Sequence, residues 1–183
     1  LSITNYPLLI MQQPNLNQFK ESEIDSFTKL LNRDKSTEEL NRILSLAKLE
    51  QRSFSLVIIN LDYLKNINDI YGYRMGDQVL RCFAEKLQEN FNGEDILGRW
   101  AGDTFIIGMY GMDKYDAFQR LNDFFDSWNK QLFYSQTQFF SVTFSAGIAD
   151  YTEDNNDFAR LYEMADYVLL KAKLEGRDRI LFS

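Results

Sequence analysis

The sequence of 183 residues contains no histidine and only one cysteine, Cys82. The absence of histidine excludes histidine metal sites, histidine general bases and phosphohistidine relays. A single cysteine cannot form a disulfide bond within the chain. The chemistry available to this protein is therefore that of carboxylates, lysine and arginine.

Basic residues are fewer than acidic ones, 20 against 27, which gives a net charge of -7. Nucleic acids and anionic membranes attract clustered Lys and Arg, so we predict no nucleic-acid partner. No apolar stretch approaches the roughly 20 residues of a membrane span, and the amino terminus lacks the layout of a secretory signal. We expect a cytoplasmic domain. Since the first residue is Leu1 and not Met, a larger and membrane-attached parent protein stays open.

Only two prolines occur, Pro7 and Pro14, and both lie near the amino terminus, where glutamine and asparagine also accumulate. This composition predicts that residues 1–22 are a linker or the end of a preceding domain. Hydrophobic residues make up 45% of the sequence, which is ample for one folded core. We therefore predict a single domain over residues 23–183.

Apolar periodicity in this domain predicts alternating helices and strands. The predicted helices span residues 34–52, 77–91, 113–133 and 157–175, and the predicted strands span 54–61, 95–101, 104–110, 138–149 and 180–182. Gly102-Asp103 lies between two apolar runs, which is a hairpin signal. The predicted fold class is α/β (α+β), with a central mixed sheet of about five strands flanked by helices.

Five motifs follow one another between Asp25 and Phe182. They read DSFTKLLNR from Asp25, NLDYLKNIND from Asn60, YGYRMGD from Tyr71, RWAGDTF from Arg99 and KLEGRDR from Lys173. This ordered series resembles the GGDEF family of bacterial diguanylate cyclase domains. The resemblance implies a nucleotidyl-cyclase-like fold which, in active members, condenses two GTP molecules into cyclic di-GMP across a dimer of domains.

The resemblance places the guanine-reading pair of the family on Asn68 and Asp77. A carboxylate can accept hydrogen bonds from N1–H and the exocyclic amine of guanine, and an amide can complete an edge that adenine cannot satisfy. A purely structural alternative stays open. In that alternative Asn68 precedes a turn, and Asp77 caps a helix that starts there.

The phosphate-binding positions of the family fall on Lys65, Lys173 and Arg177. The last two are four residues apart at the end of a predicted helix, so they can converge on one anion. The alternative is that cations at a helix carboxyl terminus interact favourably with the helix dipole, with Gly176 at the C′ position.

The catalytic positions of the family depart from its pattern. The resemblance implies two carboxylates that hold divalent ions such as Mg²⁺, and these positions are Asn60 and Asp103 here. The signature reads AGDTF, so Thr104 replaces an acidic residue. Asp62 lies two residues after Asn60 and, if the strand continues, shares its face, so it is a weaker candidate ligand.

The product-inhibition motif of the family, Arg-x-x-Asp, reads NGED from Asn92 to Asp95. The arginine that would grip a phosphate is missing. We therefore interpret Asp95 as a remnant of that site, placed where a strand or turn begins.

Together these positions predict a degenerate, catalytically inactive GGDEF domain of cyclic di-GMP signalling that binds GTP or another guanine nucleotide as a regulatory module. Mg²⁺ is expected only with bound nucleotide or activity. One alternative is an active diguanylate cyclase that uses Asp62 and Asp103, and another is a scaffold for dimerisation that binds no nucleotide. The expected partners are a second copy of the chain and a covalently attached sensor, receiver or effector domain.

Overall fold

The computed structural model describes residues 19–91, 93–136, 138–152 and 156–183. The helices are α1 (Arg33–Glu50), α2 (Leu64–Tyr71), α3 (Tyr73–Asn90), α4 (Lys114–Trp128) and α5 (Phe158–Leu174), with a short 3-10 helix at Glu21–Glu23. The strands are β1 (Phe54–Leu61), β2 (Ile96–Ala101), β3 (Thr104–Tyr110), β4 (Phe133–Ser135), β5 (Gln138–Phe140), β6 (Phe144–Asp150) and β7 (Arg179–Phe182). Residues 1–18, most of the predicted linker, lie outside the described residues.

Five strands form the central sheet in the order β2-β3-β1-β6-β7. Strand β1 is antiparallel to both β3 and β6, whereas β6 and β7 are parallel. The sheet is therefore mixed, and the predicted fold class is confirmed.

Strand β1 lies at the centre of this sheet, and all eight of its residues are buried. Val57 and Ile59 belong to one apolar cluster with residues of α3 and α4, and Leu56 and Ile58 belong to a second cluster with residues of α1 and α5. A strand covered on both faces has a continuous apolar run instead of an alternating pattern. The core therefore consists of two layers, one on each side of the sheet.

Helix α5 packs directly on the backbone of β6 at Gly147. A Cβ atom at this position would lie 2.1 Å from the carbonyl oxygen of Ala165 and 2.5 Å from the amide nitrogen of Leu169. Glycine is thus required for this close approach of helix and strand. The contact fixes the distance of α5 from the sheet, and the end of this helix contributes to the candidate site.

The segment between α4 and β6 differs from the prediction. The strand predicted over residues 138–149 is two strands, β5 and β6, and the helix predicted over 113–133 ends at Trp128. Phe133 pairs with Phe140 in a separate two-stranded hairpin, and their rings lie 5.8 Å apart. These cross-strand aromatic contacts stabilise a hairpin where the apolar spacing had indicated a helix.

The segment after β1 also differs, because the sequence did not predict α2 and placed the start of α3 at residue 77 instead of Tyr73. Gly72 joins the two helices with a φ of 85°, a conformation that favours glycine. The other predicted helices and strands are confirmed to within two residues at each end. Among the described helices, none is long and apolar enough to cross a membrane.

Candidate functional site

The candidate site lies at the carboxyl end of β1. There Asn60 is flanked by Thr104 of β3 and Ser145 of β6. The turn between β2 and β3 closes over this end, since the amide of Leu61 donates to the carbonyl of Asp103 at 3.1 Å. Gly102 in that turn has a φ of 47°, which is the left-handed region. The β2–β3 hairpin predicted from Gly102-Asp103 is confirmed.

Asn60 and Asp103, the two predicted catalytic positions, are in direct contact. The Asn60 Nδ2 atom donates to Asp103 Oδ1 at 2.7 Å and to Thr104 Oγ1 at 3.1 Å. The reversed amide would bring its oxygen against the carboxylate, so the donor must face Asp103. Asn60 is only 8% exposed, and its amide directs N–H groups toward the one carboxylate that remains.

Asp62 is engaged in other hydrogen bonds. Its Oδ1 accepts from Ser145 Oγ at 2.8 Å, and its Oδ2 accepts from Thr143 Oγ1 at 2.8 Å and from the amide of Asp178 at 3.1 Å. The side chain is buried, and it joins the end of β1 to the start of β6 and to the loop before β7. This arrangement explains a buried carboxylate without a metal ion, because three donors satisfy it.

These side chains do not fit Mg²⁺, which prefers several oxygen ligands in octahedral geometry, including one or two carboxylates. Asn60 presents N–H groups toward Asp103, and both oxygens of Asp62 accept hydrogen bonds from the protein. Within residues 19–91, 93–136, 138–152 and 156–183, no group of three or more His, Cys, Asp or Glu side chains could hold a metal ion.

The predicted guanine-reading residues lie on the neighbouring helices, Asn68 on α2 and Asp77 on α3. The Asn68 side chain packs on Gly76, where an added Cβ would lie 1.8 Å from Oδ1. This Oδ1 atom is buried and has no hydrogen-bond partner in the described part of the chain. Gly76 is therefore needed to admit the Asn68 amide next to Asp77.

The structural alternative for this pair is wrong. Helix α3 begins at Tyr73 with Gly72 as its N-cap, so Asp77 is the fifth helical residue and caps nothing. Asn68 lies inside α2 and does not precede a turn. The partly exposed Asp77 carboxylate makes no hydrogen bond or ion pair with the rest of the described chain.

The predicted phosphate-binding residues approach the start of α2 from two directions. The Arg177 guanidinium lies 4.7 Å from the ring centroid of Tyr63, and its Nη1 is 3.4 Å from the Tyr63 hydroxyl. Tyr63 immediately precedes α2, and the exposed Lys65 lies on the first turn of that helix. Arg177 and Lys65 are thus brought to one region, and Lys173 lies on the last turn of α5.

The end of α5 explains how Arg177 reaches Tyr63. Gly176 has a φ of 117°, and the amide of Arg177 donates to the carbonyl of Ala172 at 3.0 Å. This is the hydrogen bond of a Schellman motif, and Gly176 occupies the predicted C′ position. The chain therefore turns sharply after the helix and directs Arg177 away from the helix axis.

Asp95 lies immediately before β2 and is 7% exposed. Arg120 of α4 forms a two-point ion pair with it, with 2.6 Å between Nη2 and Oδ2 and 3.0 Å between Nη1 and Oδ1. Burial raises the pKa of Asp95, although the attraction of Arg120 opposes this shift. The sequence did not predict this partner, because 25 residues separate the two side chains. The pair attaches α4 to the start of β2.

Arg99, which was not predicted as a site residue, holds the turn of the signature. Its Nε and Nη2 donate to the carbonyl of Gly102 at 3.0 and 2.8 Å, and its Nη1 donates to Asp25 at 3.2 Å. Burial opposes ionisation of Asp25, but hydrogen bonds from Thr28 and Arg99 outweigh it and lower the pKa of Asp25. The first motif therefore supports the conformation of the fourth.

A family model described as "Diguanylate cyclase, GGDEF domain" matches residues 22–179. The chain is 30% identical over 176 residues to the diguanylate cyclase DgcS of Shewanella oneidensis. This alignment covers 94% of this chain and 58% of the relative. It is also 30% identical to a diguanylate cyclase of Vibrio cholerae, over 88% of this chain and 50% of the relative. The chain thus spans about half the length of these curated relatives.

A solved structure shows the same fold. Diguanylate cyclase SiaD of Pseudomonas aeruginosa, crystallised with its activator SiaC, superposes with a TM-score of 0.84 at 29% sequence identity. The match covers 93% of this chain and 65% of that chain. The sheet and helices that position the candidate site are therefore shared with this cyclase.

Proposed function

Because the chain belongs to the diguanylate cyclase GGDEF domain family, we propose that it is a regulatory module of cyclic di-GMP signalling that binds a guanine nucleotide and does not turn it over. The observation that carries this proposal is the state of Asn68 and Asp77. Both side chains have hydrogen-bonding capacity that the described part of the protein leaves unused.

The unused groups match the edge of guanine. Asn68 Oδ1 is a buried acceptor without a partner, and such a group costs about 1–3 kcal/mol unless a donor reaches it. Guanine offers N1–H and an exocyclic amine, and Asp77 adds a carboxylate that accepts from both. Adenine has no N1–H, so the same pair would discriminate against it.

The cations supply the second half of the binding site. Lys65 and Arg177 have no carboxylate partner in the described residues, and Arg177 is held over Tyr63 beside the start of α2. A helix amino terminus adds partial positive charge to such a region. The phosphates of a nucleotide bound at Asn68 and Asp77 would find these side chains, with Lys173 contributing from the end of α5.

The loss of turnover follows from Asn60 and Thr104. The resemblance implies that active members hold the ions that activate the attacking hydroxyl with carboxylates at the positions of Asn60 and Asp103, and that the position of Thr104 is also acidic. If the loss of this stabilisation raises the barrier by ~4 kcal/mol, the rate falls roughly a thousandfold. Asn60 donates a hydrogen bond to Asp103 instead of acting with it as a metal ligand, which favours a catalytically inactive site.

A second candidate function is diguanylate cyclase activity, with Mg²⁺ held by Asp103. Two observations favour it: relatives that are 30% identical bear that name, and Asp103 is retained in the turn. In this alternative Asp62 would have to release its three hydrogen bonds to become a second ligand. We regard those bonds as the reason to prefer the binding module.

The partners of the module follow from the same premise. The chain corresponds to about half of its curated relatives, so we propose that a sensor, receiver or effector domain is attached in the parent protein and is regulated by occupancy of the site. A second copy of the chain is the other proposed partner, as expected for a family whose product is made across a dimer.

Calorimetric titration of GTP into the chain with Mg²⁺ present tests the proposal, because one trace reports binding heat and continuing heat of turnover. We expect saturable binding without turnover, no comparable binding of ATP, and loss of GTP binding in Asp77→Ala. Asp123→Ala, which removes an exposed carboxylate of α4 outside the site, is the matched control. Steady turnover heat would establish the cyclase, and a flat trace would leave an interaction scaffold.

A further inference from the structure

The space between Asn60 and Asp103 is occupied by hydrogen bonds of the protein itself. The Asn60 amide has two N–H groups, and the structure places acceptors for them at Asp103 Oδ1 and Thr104 Oγ1. A cation approaching this carboxylate oxygen would meet an N–H donor, which repels it. Turning the amide would place its oxygen against Asp103 Oδ1 and would forfeit both bonds. This oxygen of Asp103 is therefore satisfied by the protein without a cation.

The described side chains next to Asp103 do not supply the missing carboxylate. Both oxygens of Asp62 accept hydrogen bonds from donors on β6 and on the loop before β7. Thr104 supplies a neutral hydroxyl that already accepts from Asn60. Throughout the part of the chain that the structure describes, no set of three His, Cys, Asp or Glu side chains could hold a metal ion.

The charges at the site also argue against a bound cation. Two carboxylates beside a triphosphate need a divalent cation to reduce their mutual repulsion. Here one carboxylate remains, and two groups of the protein already offset it, the Asn60 amide and the Thr104 hydroxyl. Lys65, Lys173 and Arg177 are still present to neutralise the phosphates.

From these observations we infer that the site binds its guanine nucleotide without a divalent cation, because the Asn60 amide donates to the Asp103 oxygen that a metal ion would otherwise use as a ligand. This inference rests on the proposed function, since it concerns the form in which the same site takes its ligand. It makes the module a sensor of the nucleotide whose response does not depend on Mg²⁺.

The test is a pair of calorimetric titrations of GTP into the chain, one with Mg²⁺ and one with EDTA. We expect dissociation constants that differ by less than about threefold, since only screening of the phosphate charge changes. Mg²⁺ titrated alone should give no saturable heat. GTP binding that weakens tenfold or more in EDTA would overturn the inference and leave the proposed function standing. An absence of binding in both buffers would refute the proposed function, and this inference with it.

Asn60→Asp provides the complementary experiment, because it restores a pair of carboxylates at the end of β1. GTP binding by this variant should become at least about tenfold weaker in EDTA than in Mg²⁺, since the two carboxylates then repel the phosphates unless a cation bridges them. Asn41→Asp adds the same charge on the exposed face of α1 and should remain independent of Mg²⁺.

Thermal unfolding of Asn60→Asp supplies a readout that does not depend on nucleotide. The new carboxylate faces Asp103 within contact distance, so Mg²⁺ should raise the melting temperature of this variant and leave that of the original chain unchanged. A variant that stays independent of Mg²⁺ in both measurements would show that Asn60 is not what excludes the cation.

Discussion

Replacement of Gly76 by alanine separates ligand binding from stability at the candidate site. A Cβ at this position would lie 1.8 Å from Asn68 Oδ1 and 2.8 Å from its Cγ, so the Asn68 side chain must leave its present position. Asn68 Oδ1 has no hydrogen bond to lose in the described part of the chain. We therefore expect the side chain to rotate away at small cost, and the guanine edge to lose one of its two recognition groups.

The expected magnitudes differ for the two properties. Alanine is favoured over glycine inside a helix by about 1 kcal/mol, so the free energy of unfolding should change by less than about 1 kcal/mol once the displacement of Asn68 is offset. Loss of one hydrogen-bonding group to guanine is worth about 1–3 kcal/mol, which corresponds to roughly 5- to 150-fold weaker GTP binding.

The assay is calorimetric titration with GTP, accompanied by urea unfolding of the same preparations. Gln78→Ala, an exposed substitution two residues further along α3, is the matched control and should change neither property. GTP affinity in Gly76→Ala equal to that of the original chain would refute the role of Asn68. A large loss of stability would show instead that Gly76 is required by the packing of α2 on α3.

Two further predictions concern the carboxylates that we assign to structure. Asp62→Ala removes the acceptor of three hydrogen bonds. Urea unfolding should show a free energy of unfolding lower by about 3 kcal/mol, and the loss should be equal with and without Mg²⁺. A larger loss in Mg²⁺ would show that Asp62 is a metal ligand. Arg120→Ala leaves the buried Asp95 unpaired and should lower the free energy of unfolding by about 2 kcal/mol at pH 7. The effect is smaller than for a fully buried pair because Arg120 is 28% exposed and solvent screens it. Because burial already raises the pKa of Asp95, this carboxylate takes up a proton more readily in the folded variant than in the unfolded chain. The loss of stability in Arg120→Ala should therefore shrink at acidic pH. Adding Asp95→Asn to Arg120→Ala should restore part of the lost stability.

The parts of the fold that could be predicted from the sequence are those with strong local signals. Strand β1 is an uninterrupted apolar run, and β3 follows a Gly-Asp turn, so their bounds coincide with the prediction. Helix α2 is only eight residues long and has no side-chain cap, which leaves it without a start signal. The β4–β5 hairpin was hidden because Phe133 continues the apolar spacing of α4.

The candidate site shows the same division. Residue types and order were enough to nominate Asn60, Asn68, Asp77 and Arg177. They carried no information on hydrogen bonds between distant segments, such as those that bind Asp62 to β6 and to the loop before β7. A buried carboxylate near the end of a strand reads equally well as a ligand or as a structural acceptor until its donors are located.

Asn60 and Thr104 make most sense as a pair of substitutions. They lie directly opposite each other on β1 and β3, and the amide of one donates to the hydroxyl of the other. Acidic residues at both positions would repel each other and Asp103 unless a cation lay between them. The turn is held by Asn60 from β1 and by Arg99 from β2, so hydrogen bonds of the protein itself maintain the conformation of the signature. Under the proposed function, the departures from the family pattern remove the metal-binding chemistry and preserve the frame that carries Asn68 and Asp77.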